Sequence, residues 1–308
     1  MKKIEIDIEL ELSDKELSQI ELHSFHNVMT IIFGEIQFIG KVLGDKTVLK
    51  DSLSLCNELL ESIYDIKKAE VLIRNWADHQ TGILAQIDQA MSSHQLTPQH
   101  EKLIEDSTAN LKRILGIIDV RVKELLARFH IPGEWRLFSI KEVVFRLRQV
   151  LDAIAQNSRG HYGIVYDPDQ QTKKDYLVNI IVAGRQGDNI TIPPVLLDTF
   201  RDLTANARKY TEPGGMIESS LMEKEDGVSL AVSDNGRGIP ENEIQNVVRF
   251  GIRGSNTKPT ETKGGGYGLT KAFWVCRQHQ GRMWIESELG AGTTVSLYIP
   301  RPVLSKAT

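Results

Sequence analysis

Three short clusters of polar residues and glycine set the tightest limits on the second half of this chain. They are Asp202–Thr211 (DLTANARKYT), Asp234–Pro240 (DNGRGIP) and Lys263–Leu269 (KGGGYGL). Asp202, Asn206 and Lys209 stand at offsets of four and three, so a helix would carry them on one face. An acid, an amide and a cation on one face suit a metal ion and a phosphate, and a plain solvated face would look similar. The second cluster follows an apolar β-rich run directly. Gly236 and Gly238 there allow positive φ and close approach of backbone to a ligand. The third cluster opens a helix, where exposed amides and the helix dipole favour phosphate. It is no Walker A loop, because no GKS or GKT follows, and it lacks the βαβ setting of a dinucleotide fold. Arg253–Lys263, just before it, reads as a polar loop able to close over a ligand.

The elements around these clusters alternate between the two periods. Ser139 to about Asn157, Pro193–Lys209 and residues 266–279 read as helices. Tyr162–Tyr166, Leu177–Val182, Met216–Met222, Val228–Val232, Arg282–Ser287 and Thr293–Ile299 read as strands. Met216–Met222 and Val228–Val232 form a hairpin around Glu225-Asp226-Gly227. Helices mixed with hairpin-linked strands predict an α/β sandwich, with helices on one face of a mixed sheet.

The first half has another character. Residues 4–12 alternate apolar and acidic and read as one strand, its partner not nameable from sequence. From Asp14 to about Leu43, Leu17, Ile20, Phe25, Val28, Met29, Ile32 and Ile36 recur at helical spacing. Ser13 and Glu16 suit a capping box at its start. A second helical run spans about Val48–Met91, with a break near Trp76–Gly82. Thr97-Pro98 places a cap before a proline that opens a third run, which continues to Phe129 and is ended by Pro132-Gly133. Such stripes need partners, within one bundle or across a dimer. The predicted fold is an N-terminal all-α helical bundle, residues 1–134 with the leading strand, followed by an α/β sandwich over residues 135–308.

Composition sets outer bounds. A chain of 308 residues is long enough for two ordinary cores. A net charge of -4 gives no support for nucleic-acid binding. No run reaches the ~18 apolar residues of a membrane span, and the basic start has no apolar h-region. A cytoplasmic protein is expected. Cys56 and Cys276 lie far apart without metal-ligand spacing, and read as small buried side chains.

In order and spacing, the three clusters resemble the ATPase family shared by histidine kinases, gyrase-type topoisomerases, heat-shock chaperones and mismatch-repair ATPases. NARKYT is similar to the family's N-box, DNGRGI to its first glycine box and GGGYGL to its second. GAGTTVSLYIP resembles the closing strand of histidine kinases, and Phe138–Val143 the start of the domain's first helix. The resemblance covers about residues 136–301. It implies ATP and Mg²⁺ as ligands, with Asn206 coordinating Mg²⁺ and Asp234 recognising the adenine amino group. Lys209 and Tyr210 would line the nucleotide. Gly236, Gly238, Gly264, Gly266 and Gly268, with Leu269 behind them, would shape the pocket and lid hinge. Thr293 or Thr294 would approach the adenine. Asp202 stands where many histidine kinases carry asparagine and the hydrolysing relatives glutamate, so a base at Asp202 stays open.

His23–Gly34 (HSFHNVMTIIFG) resembles the family's phosphoacceptor helix, with His23 as acceptor and Asn27 one turn on, where relatives assist dephosphorylation. The residue after the histidine is normally an acid that takes the imidazole proton. Here it is Ser24, whose neutral hydroxyl cannot replace that charge. His26 is a second candidate that breaks the register. The resemblance implies a protein histidine kinase of the two-component type that passes phosphate to a response-regulator receiver domain. It further implies a homodimer through the helical domain and input from a separate sensor protein. A serine/threonine kinase or ATPase of the same family, and a non-catalytic ATP-binding scaffold, are the alternatives. The family joins its two bundle helices by a short loop. The helical sequence inserted here allows either a monomeric four-helix bundle or an elaborated dimer hairpin.

Overall fold

The structure, a computed structural model, describes residues 1–45, 47–130, 134–158, 160–257 and 266–302. It divides into two compact units: Leu12–Pro132, and Met1–Glu11 together with Gly133–Thr308. The leading strand therefore belongs with the second unit, not with the helices that follow it in sequence.

The helical unit contains α1 (Asp14–Val42), α2 (Lys50–Glu61), α3 (Ile66–Arg74), α4 (Trp76–Ser93) and α5 (Pro98–His130). Ser13 and Glu16 form the expected capping box, which satisfies two of the amides that a helix start leaves open. Pro98 opens α5 as expected, and Thr97 Oγ1 accepts from the amide of His100 at 3.3 Å. The second helical run is broken twice. One break falls at Asn75, just before the expected Trp76–Gly82. The other falls at 62–65, where Asp65 caps α3 by accepting from the amides of Lys67 and Lys68. Pro132-Gly133, expected to end α5, lies outside the described residues.

The second unit is built on a seven-stranded mixed sheet. Its strands are β1 (Lys3–Glu5), β3 (Ile164–Val165), β4 (Tyr176–Ala183), β6 (Met216–Glu223), β7 (Gly227–Asp234), β8 (Arg282–Glu288) and β9 (Gly292–Pro300), in the order β1-β8-β9-β7-β6-β4-β3. β3–β4 and β4–β6 are parallel and the remaining pairs antiparallel. Helices α6 (Ile140–Asn157), α7 (Val195–Tyr210) and α8 (Gly268–Gln278) pack on the sheet. One core holds Phe200, Leu203 and Phe273 from the helices with Ile217, Leu230, Ile285 and Leu297 from the strands. The alternation of buried and half-buried residues along β7 and β9 is what one covered face requires.

Several boundaries differ from the sequence reading, each for a local reason. The leading strand pairs only at residues 3–5, although Ile6 still donates its amide to Met283 and is buried. Its docking is side-chain specific. Glu5 pairs with Arg282, and Gln245 donates to the carbonyl of Glu5 at 2.7 Å. Arg136–Ser139 form a strand, β2, paired with β5 (Asn189–Ile192), so the first helix starts at Ile140, within Phe138–Val143 and one residue after the expected Ser139. The strand expected at Tyr162–Tyr166 shrinks to two residues at the sheet edge. The helix expected from residue 266 starts at Gly268, because Gly266 has φ +77°, which a right-handed helix excludes. Among the described residues, no helix is long and apolar enough to cross a membrane.

Candidate nucleotide site

The sheet delivers Asp234 at the end of β7, opposite Thr293 of β9. Its carboxylate accepts from the amide of Gly236 at 2.9 Å. Burial pushes its pKa up to about 6, against hydrogen bonds from the Gly236 and Thr293 amides that lower it. A half-withdrawn carboxylate of this kind is an acceptor with capacity left for a ligand donor.

The glycines beside it are demanded by space. A Cβ on Gly236 would lie 2.3 Å from the Tyr210 carbonyl oxygen. Gly238 has φ +70°, and a Cβ there would lie 2.0 Å from the Glu288 carbonyl oxygen. The turn is thus pressed between the end of α7 and the β8–β9 turn. Arg237 donates its amide to Tyr210, and Gly290 donates its own to Arg237. Thr293 is buried with its hydroxyl 2.8 Å from Ser287 Oγ, and it meets Asp234 through its backbone amide. Thr294 bonds instead to Ser233, at 2.8 Å.

Helix α7 presents Asp202, Asn206 and Lys209 along one half-buried side, while Leu203, Thr204 and Ala207 enter the core. Asn206 packs against the start of α8: a Cβ on Gly268 would lie 2.2 Å from Asn206 Nδ2. The N-box asparagine and the second glycine box are therefore neighbours in space. Burial, with Arg253 and Arg208 nearby, lowers the Lys209 pKa to about 8. An anion placed here would relieve that repulsion. Tyr210 lies beside the Lys209 ammonium, 5.4 Å from its ring centroid. Gly264 and most of the loop expected as a lid lie outside the described residues. Gly266, Gly268 and Leu269 are placed, with Tyr267 stacked on Phe250 at 4.7 Å.

Lys271 was missed in sequence. It is buried on α8 and donates to Asp202 at 2.8 Å, with Asp198 at 3.9 Å. Asp198 also pairs with Arg201. The signal was a lysine inside the apolar turn Thr270–Phe273, a position that burial forbids to an unpaired cation. Replacing Lys271 by methionine is expected to cost roughly 3–5 kcal/mol, because it strands buried carboxylate charge. Adding Asp202→Asn should recover part of that loss. Urea unfolding of both variants checks the expectation.

In the helical unit, His23 and Asn27 face each other one turn apart on α1. The Asn27 amide nitrogen lies 3.2 Å from His23 Nε2. In the tautomer that carries the proton on Nδ1, the Nε2 lone pair of His23 accepts from this amide. His26 is half-buried, and burial lowers its pKa. Ser24 is turned into the bundle at 9% exposure. An acid restored there would be buried. Ser24→Asp is expected to cost roughly 2–4 kcal/mol of stability, read by urea unfolding, without raising phosphorylation. Cys56 and Cys276 are buried, and burial pushes both thiols up to about 12, which leaves them unreactive.

Residues 191–303 match the family model described as histidine kinase-, DNA gyrase B-, and HSP90-like ATPase. The adaptive-response sensory kinase SasA of Synechococcus elongatus is 30% identical over 189 residues, which are 59% of this chain and 44% of that protein. The sensor-like histidine kinase SenX3 of Mycobacterium tuberculosis is 26% identical over 180 residues, 58% of this chain and 41% of that one. This chain thus spans less than half the length of either. A solved mycobacterial sensor histidine kinase, MprB, aligns with 55% of this chain and all of its own, at 19% identity and a TM-score of 0.39. Residues 191–303, which hold Asn206 and Asp234, thus form a domain of the histidine kinase-, DNA gyrase B- and HSP90-like ATPase family.

Proposed function

We propose that this protein is an ATP-dependent protein histidine kinase. The observation that carries the proposal is the close approach of Asn206 to Gly268, in a domain whose strand-end Asp234 is buried against Gly236 and in a chain whose α1 pairs His23 with Asn27. Asp234 would accept from the adenine amino group, and Thr293 holds that carboxylate through its amide. Lys209 and Tyr210 would lie along the phosphates, with Gly236, Gly238, Gly264, Gly266, Gly268 and Leu269 shaping the walls. Asn206 would hold Mg²⁺, which when bound neutralises charge on the transferring phosphoryl group. Asp202, one turn from Asn206, enters as a carboxylate held by Lys271.

His23 Nε2 supplies the electron pair that forms the N–P bond. The bond from the γ-phosphorus to its bridging oxygen breaks, and ADP leaves with that pair. The Nδ1 proton of the resulting imidazolium passes to water, because Ser24 has no charge to take it. Asn27 orients the ring and the phosphorylated form. A response-regulator receiver aspartate would accept the phosphoryl group, and a separate sensor protein would supply input.

The buried Ser24 favours a second reading, an ATP-binding scaffold without transfer. Asp202 as base for a serine/threonine kinase or ATPase is the remaining chemistry of this superfamily. Labelled MgATP separates them. Acid-labile label on the chain supports the kinase, and acid-stable label on an added protein supports the serine/threonine reading. Binding without label on chain or partner leaves the scaffold.

A further inference from the structure

Lys271 is a charge in a place that tolerates few. Its side chain is 3% exposed, on a turn of α8 whose neighbours Thr270, Ala272 and Phe273 are buried. It donates to Asp202 of α7 at 2.8 Å and lies 3.9 Å from Asp198, one turn earlier on that helix. Asp198 also pairs with Arg201. Two acids and two cations thus meet in the seam between α7 and α8, and their charges sum to zero.

Stability alone does not call for this arrangement. Withdrawing charges from water commonly costs more than their attraction returns. Apolar side chains of similar volume would hold the two helices together at least as well.

The place of the pair is more telling. Along the seam, Asp202 stands against Lys271 and, one turn further on α7, Asn206 stands against Gly268. Gly268 is the first residue of α8, and a Cβ there would meet Asn206 Nδ2 at 2.2 Å. The Asp202 side chain is 20% exposed, on the side of α7 that also carries Asn206 and Lys209. Residues four apart on a helix have Cβ atoms about 6 Å apart. A polyphosphate received at Asn206 and the start of α8 would therefore face the Asp202 carboxylate across one helical turn. A half-buried site screens such charges poorly, so an uncompensated carboxylate there would repel the ligand.

We infer that Lys271 is a positioning residue of the nucleotide site. It cancels the charge of Asp202 and holds that carboxylate to the α8 side, so that the triphosphate of MgATP is seated at Asn206 beside an acid. Asp202 in turn serves as the counter-ion of Lys271 rather than as a base or a metal ligand. The inference rests on the reading of this site as one for MgATP.

Displacement of a fluorescent ATP analogue by MgATP tests it on the full chain, as wild type, Lys271→Met, Asp202→Asn and the double variant. Lys271→Met leaves the acid uncompensated and is expected to weaken MgATP binding about 10-fold. Asp202→Asn leaves the ammonium uncompensated and is expected to tighten binding about 3-fold. The double variant is balanced again and should return to within about 3-fold of wild type. Opposite signs with recovery are the signature of charge, whereas a lysine that only braced the helices would give weaker binding in both single variants. Weaker binding by Asp202→Asn would make Asp202 a ligand of the metal or the nucleotide and overturn the inference. A double variant no better than Lys271→Met would overturn it too. Should Lys271→Met fail to fold, the step from Asp202→Asn to the double variant still isolates the ammonium, and an affinity that does not fall across that step sinks the idea. A wild type that binds neither analogue nor MgATP would remove the nucleotide reading itself, and the inference with it.

Discussion

Replacing Asp234 by asparagine is expected to weaken MgATP binding about 100-fold while the protein stays folded. Asp234 already accepts from the Gly236 amide at 2.9 Å and from the Thr293 amide, so both neighbours in the protein are donors. In the proposed site, the adenine amino group would be a third. A carboxylate satisfies all of them and an amide does not, since its nitrogen faces a donor wherever it is placed. Losing a charge-assisted bond and leaving a donor unmatched costs roughly 2–4 kcal/mol, which is the expected change in affinity.

The same carboxyl makes binding depend on pH in a direction that can be worked out. Burial raises the Asp234 pKa from 3.8 to about 6. The native state therefore holds this proton over an interval in which the unfolded chain has released it. The contribution of Asp234 to stability accordingly falls as pH rises through that interval and is greatest below it. Nucleotide binding runs the other way, because adenine needs the ionised acceptor. Affinity of the wild type should drop as pH falls below about 6, and binding there should release a proton. Displacement of a fluorescent ATP analogue at pH about 5 and about 8 reads this directly. The nucleotide's own titration is common to both proteins, so it cancels in the ratio of wild type to Asp234→Asn. A ratio that does not change with pH would remove Asp234 from the adenine contact.

How far the sequence could be read depended on the range of the interaction. The long helices were legible because their stripes are local, and so were their starts at Ser13-Glu16 and Thr97-Pro98. Gly236 and Gly238 were legible because a backbone pressed against the Tyr210 and Glu288 carbonyls leaves glycine as the residue that fits. The hairpin of β6 and β7 followed from a turn signal between two apolar runs. By contrast, the alternation of residues 4–12 announces a strand and says nothing of its neighbour, since Glu5 opposes Trp284 across almost the whole chain. β2 and β5 are four residues each, too short to show a period, and they exist because they pair with one another. The link between Asp202 and Lys271 was hidden in the same way. Each charge was visible, and only the packing of α7 on α8 showed that they answer each other.

Removing the imidazole of His23 is expected to reduce acid-labile label to background, whereas His26→Ala should leave most of it. The two histidines share a helix but not an environment. Nε2 of His23 lies 3.2 Å from the Asn27 amide nitrogen, so in the Nδ1-protonated tautomer its lone pair accepts from Asn27, and that bond must open before Nε2 attacks phosphorus. His26 is half-buried, and burial disfavours its charged form, so a phosphorylated ring there would carry added charge against a desolvation cost. Asn27→Ala should leave label present but slow its turnover to the receiver domain or to water, because it frees the ring without removing the nucleophile. The comparison also bears on Ser24. Without an acid beside it, the Nδ1 proton must leave through solvent, so the rate of labelling should rise with added small-molecule base such as imidazole or formate. Label that survives His23→Ala would move the acceptor elsewhere on the chain. A rate indifferent to added base would mean that a protein group other than Ser24 takes the proton.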